Sequence, residues 1–113
     1  MMTKTRWITE MGMGVDVHGG DYTKAARRAV SDALRHSSLN LFNATGKTRD
    51  EMYVDVIIGA AEPDRVDCDA VAQEVPYGTV TVTAEKGGLD VTTPRGDDVL
   101  IMANAAILVS FED

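Results

Sequence analysis

The stretch from Val99 to Phe111 constrains the fold more than any other part of this chain. Read with the period of two that a strand imposes, one side carries Val99, Ile101, Ala103, Ala105, Ile107, Val109 and Phe111. The other side carries Leu100, Met102, Asn104, Ala106, Leu108 and Ser110. Both sides are largely apolar, so this reads as a strand covered on both faces. Asn104 is the lone amide within it, and a buried amide left unbonded costs on the order of 1–3 kcal/mol. It is therefore expected to have a designated partner in backbone, a neighbouring subunit or a ligand.

The remaining pattern supplies one cover but not two. Arg6 to Val17 holds Trp7, Ile8, Met11, Met13, Val15 and Val17, and its later half alternates with Gly12, Gly14 and Asp16 as a strand does. Gly19 and Gly20 break it, and Asp21 is placed to cap the helix that follows. From Tyr22 to about Arg35 the apolar residues Tyr22, Ala25, Ala26, Ala29, Val30, Ala33 and Leu34 recur at helical spacing, with charged residues on the opposite face. His36 ends this helix, where a partial negative charge suits an imidazolium.

Residues Ser37 to Glu51 read as a flexible connection pinned by Leu39, Leu41 and Phe42. Met52 to Ile58 alternates as a second strand, and Asp67 can cap a short helix running through Val75, stopped by Pro76-Tyr77-Gly78. Thr79 to Glu85 sets Val80, Val82 and Ala84 against threonines, Lys86-Gly87-Gly88 turns the chain, and Leu89 to Thr93 can add a short strand. The expected architecture is an α+β two-layer sandwich of one domain, residues 1–113: a roughly four-stranded sheet with two helices on one face, in the order βαβαββ. Two helices on one face leave the other bare. The economical cover is another copy of the chain, so a homo-oligomer through the last strand is expected, the alternative being loops folded over that face.

Composition excludes several classes of function. The net charge of −7 repels phosphate backbones and anionic bilayers, so neither nucleic acid nor membrane is an expected partner. Lys24, Arg27 and Arg28 form a local basic cluster of the kind usually found on a solvated helix face. One cysteine, Cys68, permits no internal disulfide, and Asp67 and Asp69 beside it disfavour a thiolate. No apolar run matches a signal peptide or a membrane span, so a cytoplasmic protein is expected.

The segment with the strongest chemical character is Gly12-Met13-Gly14-Val15-Asp16-Val17-His18-Gly19. If the first strand runs through Val17, Asp16 and His18 share one side, as an acid–base pair requires. Gly12, Gly14 and Gly19 permit a backbone close to a ligand, and Lys24 and Asn104 complete a set of ligand-binding candidates. The same residues also have a structural reading: a bulge at Gly14, turn amides bonded by Asp16, and His18 in a polar pocket. A metal is not expected, because two side chains are a poor coordination shell and Glu10, Asp21, Asp97 and Asp98 lack diagnostic spacing. No phosphate loop, dinucleotide fingerprint or serine elbow occurs, so no cofactor is expected.

Gly12-x-Gly14-x-Asp16-x-His18-Gly19 resembles the signature of a small conserved-hypothetical family of bacteria and plants, the Lin family. The similarity continues through Thr23-Lys24-Ala25-Ala26-x-Arg28-Ala29-Val30, Pro76-Tyr77-Gly78, Gly87-Gly88-Leu89, Asp97-Asp98 and Ala103-Asn104-Ala105-Ala106. More distantly, it is similar to single domains of the cyanuric acid hydrolases and barbiturases, whose three concatenated domains surround a shared site. That resemblance implies a sheet-and-helix unit assembling around an axis, while the Ser-Gly nucleophile motif of those enzymes is missing here. Two functions therefore stand open. One is an oligomeric, hydrolase-like enzyme acting on a small polar metabolite through Asp16 and His18; the other is a non-catalytic homo-oligomeric module that binds a metabolite or serves a structural role.

Overall fold

The computed structural model describes residues 3–36 and 46–113, and most of the connection expected over Ser37–Glu51 lies outside them. The elements are β1 (Lys4–Asp16), α1 (Tyr22–Arg35), β2 (Tyr53–Ala60), α2 (Cys68–Ala72), β3 (Thr79–Lys86), β4 (Leu89–Thr92) and β5 (Val99–Glu112). Short 3-10 turns occupy Arg49–Glu51 and Pro63–Arg65.

The long apolar strand β5 is the centre of the sheet. Its neighbour on one side is β1, antiparallel from Lys4↔Glu112 to Asp16↔Ile101. On the other side β2 runs antiparallel over Ser110 to Asn104, and β4 continues along the same edge over Met102 to Val99. β3 lies beyond β2 and parallel to it, as the crossover through α2 requires. Among the described residues the sheet is thus four strands wide but built from five, so the roughly four-stranded sheet and two helices are present with one more strand than expected. The helix expected through Val75 ends sooner, at Ala72.

Alternation assigns the two faces. Ile101, Ala103, Ala105, Ile107, Val109 and Phe111 of β5, with Val54, Val56 and Ile58 of β2, are buried beneath α1 and α2. α1 contributes Tyr22, Ala25, Ala26, Ala29, Val30 and Ala33, all buried. Asp21 caps it, its carboxylate accepting from the Lys24 amide at 3.0 Å.

Four of the buried α1 residues are alanines, and the sheet opposite is equally small: Gly12 pairs with Ala105 and Gly14 with Ala103. A Cβ on Gly14 would lie 2.3 Å from the Ala25 carbonyl oxygen, and one on Gly12 would lie 2.5 Å from the Ala33 nitrogen. The helix backbone therefore rests directly on the strand, which only glycine at these two positions allows.

Among the described residues, the other face carries no helix. Trp7, Met11, Met13, Val17, Leu89 and Val91 are each about half exposed or more, ranging from 47% to 66%. Trp7 marks a bulge, since the register against β5 shifts between Arg6 and Ile8. Among the described residues, no loop covers this face. The outer edge of β1 is partly closed instead: Asp32 accepts the Met13 amide at 3.1 Å, and Arg28 donates to the Val15 carbonyl at 2.6 Å.

Candidate functional site

The segment singled out by sequence falls at the end of the sheet where β1 stops, α1 begins and the loop before β5 arrives. Asp16, the last residue of β1, is 1% exposed and faces α1. Its Oδ2 accepts the Asp21 amide at 2.9 Å, while Oδ1 lies 3.6 Å from Lys24 Nζ and 3.9 Å from an Arg28 nitrogen. This buried carboxylate fixes the start of α1 to the end of β1, and two cations balance its charge.

His18 is engaged elsewhere. It lies beyond the strand, its side chain 87% exposed, with Nδ1 3.1 Å from Asp98 Oδ2. The other Asp98 oxygen accepts from the Val99 amide at 2.8 Å and the Gly19 amide at 3.3 Å. The His18 contact, then the Val99 amide, hold the Asp98 carboxyl below the usual carboxylate range. When the Nδ1 proton is the one donated to Asp98, Nε2 is left free as an acceptor facing solvent. The expected Asp16–His18 pairing is not what the structure brings together: strand alternation ends at Asp16, and the turn delivers His18 to Asp98. The carboxylate that the sequence set beside the imidazole is Asp16; the one in contact with it is Asp98. Local alternation could not name it, because the partner stands 80 residues away.

The other sequence candidates separate in the same way. Gly12 and Gly14 are filled by α1, whereas Gly19 and Gly20 adopt φ of 88° and 62° and make the turn. Lys24 is half exposed beside Asp16. Asn104 was read as buried, but it is exposed on the open face, with Oδ1 accepting the Gly88 amide at 3.1 Å. It pins the turn between β3 and β4 onto β5, so its designated partner is backbone. Cys68 is held as a thiol, pushed up by burial and then by Asp69 and Asp67, and His36 closes α1 with Nε2 3.5 Å from Asp32.

One polar cluster was not read from the sequence. The Tyr22 hydroxyl, beneath the start of α1, contacts the carboxylates of both Glu62 and Asp90, and the Arg65 guanidinium lies 4.7 Å above its ring. Burial, then the two carboxylates, push the phenol far above its usual value. Tyr22 in turn, helped by Arg65, holds Glu62 low. Asp90 Oδ1 is buried with no hydrogen-bond partner among the described residues. Asp90 and Asp16 both pair with Ile101, from opposite sides of β5, so the two carboxylates flank the start of α1. The only sequence signal was an acidic residue at the inward position of a short strand.

Gly19, Gly20, Arg65, Thr92, Asp97 and Asp98 border a wide, shallow depression of about 590 Å³ next to His18. Among the described residues no group of three or more His, Cys, Asp or Glu side chains could hold a metal ion. None of the described helices is long and apolar enough to cross a membrane.

These features define a small α+β protein with a mixed five-stranded sheet, two helices and a polar rim where strand, turn and helix meet. The chain belongs to the Lin0512 family of conserved hypothetical proteins, whose family model matches residues 6–109. Among solved structures it is similar to an FtsZ-like protein of unknown function from Nostoc punctiforme. The two share 36% identity and a TM-score of 0.88, over 100% of each chain. No curated protein matches it.

Proposed function

We propose that this chain acts as a homo-oligomeric module whose open sheet face is buried against a second copy of itself. The observation that carries the reading is the group of half-exposed apolar side chains on the face away from α1: Met11, Met13, Leu89 and Val91, which pair with Ala106, Asn104, Met102 and Leu100 of β5, and Trp7 at the bulge beside them. Apolar side chains gathered on one exposed sheet face mark a surface that is commonly buried against a partner. A 13-residue strand in a four-strand-wide sheet presents roughly 600–800 Å² at ordinary strand spacings, close to the share of about 800 Å² that each partner gives a standard interface. Asn104 and the threonines of β3 give that face polar positions at its centre and rim.

The occupant is a copy rather than a bilayer, because the net charge of −7 opposes anionic lipid. It covers the face rather than extending the β1 edge, because Asp32 and Arg28 already take the Met13 amide and the Val15 carbonyl. The test is quenching of Trp7, the single tryptophan. In the assembled protein Trp7 is shielded from acrylamide, and Met11→Lys with Met13→Lys exposes it while preserving the circular dichroism spectrum. Equal quenching in parent and variant would refute the assembly.

A second reading is favoured by the His18–Asp98 contact. In it His18, oriented by Asp98, serves as the acid–base group for a small polar metabolite in the adjoining depression, in a cytoplasmic enzyme. Side-chain nitrogen NMR decides it. The reading requires the Nδ1-protonated tautomer of His18, lost in Asp98→Asn; an Nε2-protonated ring in the parent protein would remove it.

A further inference from the structure

The solvent side of α1 carries a feature that the assembly reading leaves unused. Lys24, Arg27, Arg28 and Ser31 recur at spacings of three and four, so they share one face of the helix. With Thr23, Asp21 and Glu74 they border a depression of about 420 Å³, on the opposite side of the sheet from the bare apolar face. In a chain of net charge −7 this is a concentration of three cations, each about half exposed.

The carboxylates nearby are already engaged. Asp16 is buried and lies 3.6 Å from Lys24 and 3.9 Å from Arg28, and Arg28 gives one terminal nitrogen to the Val15 carbonyl at 2.6 Å, which leaves its other N–H donors and the Lys24 ammonium only partly engaged. Asp21 caps the helix through the Lys24 amide. Glu74 holds Arg27 by one contact, Nε to Oε1 at 2.6 Å, which leaves both terminal guanidinium nitrogens outside that bond. What borders the depression is two guanidinium groups, one ammonium, the Ser31 hydroxyl and the carboxylates of Asp21 and Glu74, both bonded within the fold; the Thr23 hydroxyl at its edge already accepts the Asp67 amide at 2.9 Å. Forked guanidinium donors with a neighbouring hydroxyl match the tetrahedral, multiply charged oxygens of a phosphate group.

We propose that this depression binds the phosphate group of a small phosphorylated metabolite, independently of how the bare sheet face is covered. Arg27 supplies the paired terminal donors, Arg28 and Lys24 the further positive charge, and Ser31 the neutral hydrogen bond. Lys24 and Arg28 also stabilise Asp16, so the informative substitutions are Arg27→Gln and Ser31→Ala.

The experiment is an amide NMR titration of the full chain with inorganic phosphate and with pyrophosphate, against chloride at matched ionic strength. Phosphate should shift the α1 amides around Lys24 to Ser31 saturably at concentrations of about 10 mM or below, and pyrophosphate should bind more tightly. Arg27→Gln with Ser31→Ala should weaken both by about tenfold while the rest of the spectrum stays in place. Shifts reproduced by chloride, shifts that do not saturate, or affinities unchanged in the double variant would each overturn the proposal.

Discussion

Replacing Gly14 with alanine tests whether the glycines of β1 serve helix packing. The added Cβ would stand 2.3 Å from the Ala25 carbonyl oxygen, 2.4 Å from the Ala29 nitrogen and 2.6 Å from Arg28 Cβ. Ordinary contacts begin near 3.4 Å, so α1 must retreat from the strand by about 1 Å. The obstacle is helix backbone and cannot rotate aside, and α1 supplies Ala25, Ala26, Ala29, Val30 and Ala33 to the core. Overpacking of this kind costs about 3 kcal/mol, the upper part of its usual range. In a domain of this size that lowers Tm by roughly 10–20 °C.

Gly19→Ala is the control. Its Cβ would meet nothing within 4 Å, and the cost is the left-handed backbone at φ 88°, about 1–2 kcal/mol. Urea and thermal unfolding of both variants read the difference. A Gly14→Ala protein within about 0.5 kcal/mol of the parent would refute close packing as the reason for this glycine.

Four further outcomes follow from the polar rim. Asp16→Ala removes a buried carboxylate from the Asp21 amide and leaves Lys24 and Arg28 without their counter-charge; denaturant unfolding should show a loss of about 2–3 kcal/mol. Tyr22→Phe strips Asp90 of its hydroxyl partner and should cost about 1–3 kcal/mol, again by denaturant midpoint. Because folding raises the Tyr22 pKa, its contribution is complete below the unfolded value near 10 and is lost as pH rises above it. An alkaline absorbance titration should therefore show one phenol ionising only with unfolding. Asp98 runs the other way: its folded pKa is depressed, so its contribution is present above about pH 4 and is lost as pH falls below it. Asp98→Asn should flatten the acid limb of stability against pH.

Much of the fold was legible because the alternation is unambiguous. Tyr22–Arg35 emerges with its cap at Asp21, and β2 buries Val54, Val56 and Ile58 as its pattern requires. The two apolar sides of β5 pointed to a strand covered on both faces; among the described residues helices cover one of them, the side of Ile101, Ala103, Ala105 and Ile107. Asn104 was misplaced because alternation gives its side of the strand but not whether that side is covered within one chain.

The candidate site was legible as a location, not as a set of contacts. Gly12 and Gly14 resembled a ligand-approach motif, yet their matching signal lay in Ala25, Ala29 and Ala33, a small stripe at helical spacing able to seat on them. Pairing His18 with Asp98, or Tyr22 with Glu62 and Asp90, requires the register of β1 and β4 on β5, which no local pattern encodes.

The most direct test of the account is sedimentation equilibrium of the unmodified protein over a wide concentration range. Burial of the bare face against a second copy predicts a mass that is a multiple of the 12.2 kDa chain, falling towards one chain for Met11→Lys with Met13→Lys. A parent protein that stays at the mass of a single chain at every concentration would contradict the central claim.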